Sequence, residues 1–332
     1  MHRFRYWLTI LPLGLLACSG RFPQTTLAPK SDFGWAIDHL FTHILWWAVG
    51  VFVVVESLLL FVIIRYRHRE GRPAPKPLHG HTALEIGWTL APVFILISIA
   101  VPTMRTIFQT TGRAPESALR VEVVGHQWWW EYKYPDLGIV TATEMHVPVA
   151  KPVGVAITSA DVIHSFWAPE LGGKRDAIPG RVTRIAFRAD SVGDYSGQCA
   201  EFCGMSHANM RLSVVVDSDS AFAGWVRGQQ AGPAPIAPGS LAERGQHVFA
   251  RSPCIGCHTM AGIPGAKGVV GPNLTHVGSR ATIGGGMLAN TPENLARWIA
   301  DAPSLKPGSL MPKVLLSPED LAAIVAYLQS MK

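Results

Sequence analysis

Two long apolar runs near the start of the chain are followed by short alternating segments and then by amphipathic helical patterns. The first run, Ile44–Ile64, is interrupted by a single charge, Glu56, and as a helix it is long enough to cross about 30 Å of hydrocarbon. The second run, Ala83–Ile107, contains two prolines, which membrane helices tolerate. These runs predict two transmembrane helices, at about 40–65 and 83–107.

The pattern changes at about Leu119 to short β-branched and aromatic runs separated by Pro and Gly turns, which predicts an antiparallel sandwich or barrel over residues 119–228. The predicted strands are Leu119–Val124, Trp128–Tyr134, Val153–Thr158, Val182–Phe187 and Leu212–Val216. Residues 229–239 are rich in Pro, Gly and Ala without an apolar period, and predict a linker. The remaining residues, 240–332, carry amphipathic patterns that predict three main helices: Leu241–Ala250, Thr291–Asp301 and Ser317–Met331.

The N-terminus has the pattern of an export signal. Arg3 and Arg5 precede a short apolar stretch, so residues 1–17 are predicted to be a signal peptide. The Leu-Leu-Ala-Cys sequence at the end of this stretch resembles a bacterial lipobox, which predicts that Cys18 is lipidated. Residues 18–110 are then the N-terminal segment of the mature protein, and they contain the two predicted transmembrane helices. The loop between the helices is strongly basic, and the positive-inside rule therefore puts it in the cytoplasm and both chain ends outside. Its basic residues are Arg65, Arg67, Arg69, Arg72 and Lys76.

Composition narrows the class of protein. The chain is 48% hydrophobic and only 16% charged, which excludes a disordered protein. It has no basic run with interleaved aromatic residues outside the membrane loop, and so nucleic-acid binding is excluded. Five cysteines in 332 residues cannot form a dense disulfide framework. They fall as one isolated residue and two close pairs: Cys18, Cys199 with Cys203, and Cys254 with Cys257.

The most specific segment is Cys199-Ala-Glu-Phe-Cys203-Gly-Met-Ser-His207-Ala-Asn-Met210. Two thiols, an imidazole and a thioether are soft ligands, which favour copper over hard cations. A dinuclear thiolate-bridged centre needs a second imidazole, and His164, directly after a predicted strand, is the candidate. There are three alternatives to a dinuclear copper centre. A disulfide between the two cysteines would leave the histidines and Met210 unused. A mononuclear zinc site has no use for Met210, and a mononuclear blue-copper site needs only one cysteine.

A second motif, Cys254-Ile-Gly-Cys257-His258, has the C-x-x-C-H pattern of covalent haem attachment. Its short loop sets both sulfur atoms at one edge of a macrocycle, with His258 beneath the iron. The alternative is a redox dithiol beside a chance histidine. The exported setting and the small helical region favour haem.

The distal haem ligand is expected to be a thioether, which raises the potential. Met311 lies in a loop before the final predicted helix and is the predicted ligand. Met260 is too close to His258 to reach the opposite face, and Met287 lies in a glycine-rich stretch. Residues 240–332 in this arrangement resemble a class I cytochrome c.

Three further segments resemble subunit II of haem-copper cytochrome c oxidases: GHQWWWEYKYPD, DVIHSFWAPELGGKRDAIPGR and CAEFCGMSHANM. The resemblance covers residues from about 35 to 228, and with the cytochrome-like segment the chain is similar to the fused subunit II of caa-type oxidases. It implies a multidomain fold: a two-helix transmembrane hairpin, an all-β cupredoxin-like Greek-key barrel and an all-α class I cytochrome c.

The resemblance also implies the cofactors. These are a covalently bound haem c, a dinuclear copper A centre, and a magnesium that the Glu201 carboxylate shares with subunit I. The implied copper ligands are Cys199 and Cys203 as bridges, His164 and His207 on one copper each, and Met210 and the backbone carbonyl of Glu201 as weak axial ligands.

Two more residues match the family pattern. Trp128 matches the surface aromatic residue where electrons enter from a cytochrome, although packing alone would also explain it. Glu85 matches the acid at the entrance of a proton pathway into subunit I, with a solvated carboxylate at a helix end as the alternative. Glu56 has no counterpart in the family pattern and is assigned no function.

These expectations define an electron-input subunit in a bacterial inner membrane, with its redox domains on the periplasmic side. The expected partners are subunit I, which holds haem a and copper B, the other oxidase subunits, and cytochrome c or another donor. Quinol-oxidising relatives lack the thiolate set, which favours a cytochrome or similar carrier as donor. The alternatives are a nitric oxide reductase subunit and a membrane-tethered electron carrier.

Overall fold

The computed structural model of the chain describes residues 22–68, 70–71, 79–233 and 235–332. The predicted signal peptide and Cys18 lie outside the described residues, as do Arg69, Arg72 and Lys76 of the basic loop. The described part contains two long N-terminal helices, a β domain and a C-terminal domain built mainly from helices. This confirms the predicted three-part architecture.

The two N-terminal helices are α1 (Asp32–Tyr66) and α2 (Thr82–Thr110), and both are long and apolar enough to cross a membrane. They pack against each other, with His43 Nε2 lying 3.0 Å from the Ser98 carbonyl oxygen. Helix α1 begins earlier than its apolar run because the side chain of Ser31 accepts a hydrogen bond from the Gly34 N–H and caps it. Hydrophobicity alone detects only the lipid-facing part of such a helix.

The first turn of α1 is attached to the β domain. The Ser31 hydroxyl donates to the Leu171 carbonyl oxygen at 2.6 Å, and the Arg188 N–H donates to the Asp32 carboxylate at 2.8 Å. The Trp35 indole N–H donates to Asp190 at 2.8 Å. These hydrogen bonds hold the β domain close to one end of the membrane helices.

The β domain, residues 119–230, consists of two five-stranded sheets with mostly antiparallel pairing. The strands are β1 (Leu119–His126), β2 (Trp129–Tyr134), β3 (Ile139–Ala142), β4 (Glu144–Pro148), β5 (Pro152–Ser159), β6 (His164–Trp167), β7 (Arg175–Ala177), β8 (Thr183–Arg188), β9 (Gly193–Cys199) and β10 (Arg211–Asp217). The sheets have the strand orders β3-β2-β1-β5-β8 and β4-β10-β9-β6-β7. Large side chains that are almost fully buried, among them Trp130, Tyr132 and Met145, form the core of the domain.

One expectation about the β domain is wrong. His164 does not follow a strand directly but is the first residue of β6, after a short turn that leaves β5 at Ser159. The strand was missed because the turn and strand together contain charged and polar residues without a clear alternation. The domain also ends in a helix that the pattern did not predict, α3 (Asp219–Gln230), whose Trp225 stacks on His146.

The C-terminal domain, residues 240–332, is held together by helices that cross at close range. Its elements are α4 (Leu241–Arg251), α5 (Cys254–Cys257), β11 (Thr282–Ile283), β12 (Leu288–Ala289), α6 (Pro292–Ala300), α7 (Ala302–Leu305) and α8 (Pro318–Ser330). Phe249 of α4 and Tyr327 of α8 are buried against each other. The three main helices fall where they were predicted, and the two-residue strands add a small hairpin to the helical fold.

Candidate metal centre and haem cavity

Four of the predicted copper ligands converge at one end of the β domain. The Sγ atoms of Cys199 and Cys203 lie 3.7 Å apart, and both cysteines are free and buried. His164 Nδ1 is 3.9 Å from the Cys199 Sγ, and His207 Nδ1 is 3.5 Å from the Cys203 Sγ. The sulfur atoms are therefore not joined in a disulfide, and each faces one imidazole.

The two axial candidates lie at the same centre. The Met210 Sδ is 3.9 Å from the Cys203 Sγ, and the Glu201 carbonyl oxygen is 3.2 Å from the Cys199 Sγ. Met210 is completely buried. The buried thioether has no use in a zinc site, whereas the full set of two thiols, two imidazoles, a thioether and a carbonyl fits two copper ions.

The elements explain why these side chains meet. Cys199 ends β9 and His164 begins β6, and these strands are neighbours with Phe166 paired to Cys199. Cys203 and His207 lie on the loop that returns to β10, and the Cys199 N–H donates to the Met210 carbonyl oxygen across its base at 2.9 Å. The loop is thus closed by the strand pairing itself.

Asp161 orients His164 and was not singled out in the sequence. Its carboxylate Oδ1 lies 2.7 Å from the His164 Nε2, so the proton on Nε2 leaves Nδ1 unprotonated toward the cysteines. Burial lowers the pKa of His164, but the Asp161 hydrogen bond and the cysteine outweigh it and raise the pKa overall. The spacing of the two residues, three apart before a ligand histidine, is the signal that could have identified it.

The Glu201 side chain points away from the sulfur atoms. Its side chain is 46% exposed, and the carboxylate lies 3.9 Å from the Lys174 Nζ. The same residue therefore offers a carbonyl to the buried centre and a carboxylate to its outer side.

Trp128 connects the copper ligands to the C-terminal domain. Its indole N–H donates to the Cys203 carbonyl oxygen at 3.0 Å. The expected surface aromatic residue is only 7% exposed, because the C-terminal domain covers it. Trp128 lines the same apolar cavity as the haem-attachment motif.

The residues of the C-x-x-C-H motif face that cavity, together with apolar side chains such as Leu295 and Ile299. His258 Nδ1 lies 2.8 Å from the Pro272 carbonyl oxygen and must donate to it, which leaves Nε2 with its lone pair. Burial lowers the pKa of His258, which favours the neutral form that binds iron. A Cβ on Gly271 would lie 2.4 Å from the His258 ring, so that only glycine fits beside it. The donor set and the apolar lining fit a haem.

Of the three candidate methionines, Met311 lines the cavity. Met260 is 2% exposed and belongs to the core of the C-terminal domain, with its N–H bonded to the Ala266 carbonyl oxygen. Met287 does not line the cavity. The structure therefore brings Met311 together with the haem-attachment motif.

Glu85 lies far from both sites along the chain, in the first turn of α2. Its Oε1 accepts a hydrogen bond from the His81 N–H at 3.2 Å, and the side chain is exposed. Glu56 lies within α1 and remains without an assigned role.

The chain is similar to known proteins along nearly its whole length. Family models match the transmembrane domain of cytochrome c oxidase subunit II over residues 30–106, its periplasmic domain over 138–218, and cytochrome c over 242–332. A cytochrome c oxidase subunit 2 from Alkalihalophilus pseudofirmus is 37% identical, with 98% of this chain and 96% of the relative covered. The corresponding protein of Bacillus subtilis is 34% identical, with the same shares covered.

A solved structure is similar to part of the chain. The crystal structure of the periplasmic domain of subunit II of cytochrome oxidase from Bradyrhizobium japonicum is 39% identical and covers 35% of this chain and 96% of its own, with a TM-score of 0.34. The two curated relatives are similar over nearly the whole length, including both membrane helices and the cytochrome segment. The chain therefore belongs to the cytochrome c oxidase subunit II family.

Proposed function

We propose that electrons enter this oxidase subunit at its C-terminal domain, cross at Trp128 to the β domain, and leave toward subunit I, which reduces oxygen to water. The residues that would hold a covalent haem c are Cys254, Cys257, His258 and Met311. The residues that would hold a dinuclear copper A centre are Cys199, Cys203, His164 and His207, with Met210 and the Glu201 carbonyl as weak ligands. When bound, both groups supply one-electron chemistry.

The observation that supports this route is the position of Trp128. Trp128 lines the cavity of the haem-attachment motif, and its indole N–H donates to the carbonyl oxygen of Cys203, a proposed copper ligand. One residue thus contacts both sites. Because the C-terminal domain covers this ring, a soluble donor such as a cytochrome meets the C-terminal domain first.

The chain's own residues hold the proposed copper site in place. The cysteine loop is closed by strand pairing and by the Trp128 hydrogen bond, and Asp161 fixes the His164 ring. A site whose ligands do not move on a change of charge requires little reorganisation, which favours fast one-electron transfer.

Two carboxylates are proposed to serve the junction with subunit I. The exposed Glu201 carboxylate is available to a magnesium ion at that junction, in competition with its partner Lys174. The Glu85 carboxylate is exposed in the first turn of α2, as a proton-pathway entrance requires.

The proposed location of the protein is a bacterial inner membrane, with both redox domains on its outer face. Arg65 and Arg67, at the C-terminal end of α1, support that orientation.

Replacement of Trp128 tests the route. In the purified complex, Trp128→Phe keeps an aromatic ring but loses the indole N–H, so transfer from haem to copper should slow while two copper ions and one haem per chain are retained. Trp225→Phe is the matched control, since Trp225 packs on Tyr134 and His146 away from the cavity. Normal transfer in Trp128→Phe would contradict the route through this side chain.

The two alternative functions differ in what the native complex consumes. The similarity to curated oxidase subunits over nearly the full chain does not favour a nitric oxide reductase or a lone electron carrier. Oxygen consumption by the isolated complex, without nitric oxide consumption, is the expected result. Zinc or a single copper in the purified chain would contradict the copper assignment.

A further inference from the structure

Lys306 is a buried cation between the two redox domains. It follows α7 in the C-terminal domain and is only 3% exposed. Among the residues that the structure describes, it has no carboxylate partner. A buried ammonium is unfavourable unless its three N–H donors are satisfied, and something else must therefore hold it.

Three carbonyl oxygens from two domains satisfy this ammonium. The Lys306 Nζ donates to the Gly284 carbonyl oxygen of its own domain at 2.6 Å. It also donates to two carbonyl oxygens of the β domain, Trp128 at 2.6 Å and Asn209 at 2.8 Å. Burial lowers the pKa of Lys306 to about 7. Its three carbonyl acceptors supply the hydrogen bonds that a buried ammonium requires. The acceptors exist together only while the domains are in contact.

The backbone around Lys306 is shaped for this close approach. Gly285 has a φ of +71°, and a Cβ there would lie 2.5 Å from the Trp128 carbonyl oxygen and 2.6 Å from the Lys306 Nζ. Gly308 has a φ of +83°, and a Cβ there would lie 2.5 Å from the Trp128 ring. Both positions therefore require glycine for conformation as well as for space. Neighbouring hydrogen bonds extend the contact, with the Arg211 N–H donating to the Gly285 carbonyl oxygen at 2.9 Å.

We propose that Lys306 is a positioning residue that fixes the C-terminal domain on the β domain and so holds the haem cavity against Trp128. This inference rests on the proposed electron route. Two of its three acceptors belong to residues of that route or beside it: Trp128 itself, and Asn209, which directly precedes Met210. Lys306 acts through the backbone of these residues and not on either cofactor.

Replacement of Lys306 by methionine keeps the length of the side chain and removes its donors and its charge. We expect haem-to-copper transfer in the complex to slow by about tenfold or more, because losing the hydrogen bonds of a charged donor to the β domain weakens the contact by about that factor. The haem and copper absorption spectra should stay unchanged, because neither ligand set is touched. Lys313→Met is the matched control, since Lys313 is exposed and paired with Asp301 in the same domain.

A second measurement detects the position of the domain without electron transfer. Hydrogen–deuterium exchange at residues 205–211 and 282–286 should rise in Lys306→Met and not in Lys313→Met. Gly285→Ala should raise exchange at the same residues, because the added methyl group pushes the two domains apart while Lys306 is retained. This variant tests the contact even if Lys306→Met does not fold. Unchanged exchange and transfer in both interface variants would overturn the proposal. Absence of haem-to-copper transfer in the unmodified chain would instead overturn the electron route, while the exchange result would still decide the role of Lys306.

Discussion

Asp161 determines which nitrogen of His164 is available to a metal. Its carboxylate accepts from Nε2, and Nδ1 is left facing the Cys199 sulfur. A carboxylate behind a ligand histidine fixes the ring and makes it a stronger base. The cost of burying this carboxylate is offset by His164 and by the N–H groups of Gln127 and Val162, which together lower the pKa of Asp161 overall.

Asp161→Asn should weaken copper binding by about 10- to 100-fold, the usual effect of losing such a partner. The asparagine keeps the size of the side chain but lacks the charge that favours the correct tautomer. Competition with a copper chelator measures the change. Asp136→Asn is the control, since Asp136 is exposed and paired with Arg120 on the outside of the domain. Equal copper retention in both variants would show that Asp161 does not orient the ligand.

Met311→Ala should abolish the low-spin spectrum of a haem with histidine and methionine ligands. Met311 is the candidate methionine that lines the same cavity as His258, while Met260 is buried in the core of the C-terminal domain. Visible absorption of the reduced and oxidised chain measures the change. Met287→Ala should leave that spectrum intact, and the reverse pattern would identify Met287 as the ligand.

The strands show which elements a pattern can predict. β5, with alternating buried and half-buried residues and β-branched side chains, was predicted nearly to its ends. β6 and β9 were missed, although they carry His164 and Cys199, because the former has only four residues and the latter is mostly Gly, Asp, Ser and Gln. Their pairing with each other and with β10 stabilises them. The candidate ligands could still be predicted, since ligand chemistry is read from residue type and spacing.

The crossing of α4 and α8 depends on a single small residue. A Cβ on Gly245 of α4 would lie 1.9 Å from the Ala323 carbonyl oxygen of α8. Backbone cannot move aside as a flexible side chain can. The close crossing buries Phe249 and Tyr327 on either side and holds the final helix over the cavity.

Gly245→Ala should therefore destabilise the C-terminal domain by about 2 kcal/mol or more, as overpacking against a rigid neighbour does. Denaturant unfolding followed at the haem absorption band measures it. Gly228→Ala in α3 is the control, because a Cβ there meets nothing within 4 Å and the residue lies outside both proposed sites. A change in Gly245→Ala no larger than that of the control would show that the helices can separate at little cost.

At the scale of the whole molecule, the two redox domains are joined both by the polypeptide linker and by direct contacts between their surfaces. On one edge Lys306 binds the Trp128 and Asn209 carbonyl oxygens. On another, the Glu144 carboxylate, 7% exposed, accepts from the Thr282 N–H at 2.9 Å. Neither residue stands out in the sequence, because a lone lysine and a lone glutamate carry no motif. The sequence could predict two domains and their cofactors, whereas their mutual position depends on contacts between residues that are 97 to 178 positions apart.

Cleavage between the domains separates the effect of the chain from that of the contact. A protease site introduced within residues 231–239 removes the high effective concentration that a short linker provides, so association then depends on the interface alone. Because the interface buries a hydrogen-bonded ammonium and a hydrogen-bonded carboxylate, the cleaved fragments of the otherwise unmodified chain should co-elute in gel filtration. The double variant Lys306→Met and Glu144→Gln should elute as separate fragments, whereas Lys313→Met should behave as the unmodified chain. Separation of the unmodified fragments would mean that the linker, and not the contact, keeps the C-terminal domain beside Trp128.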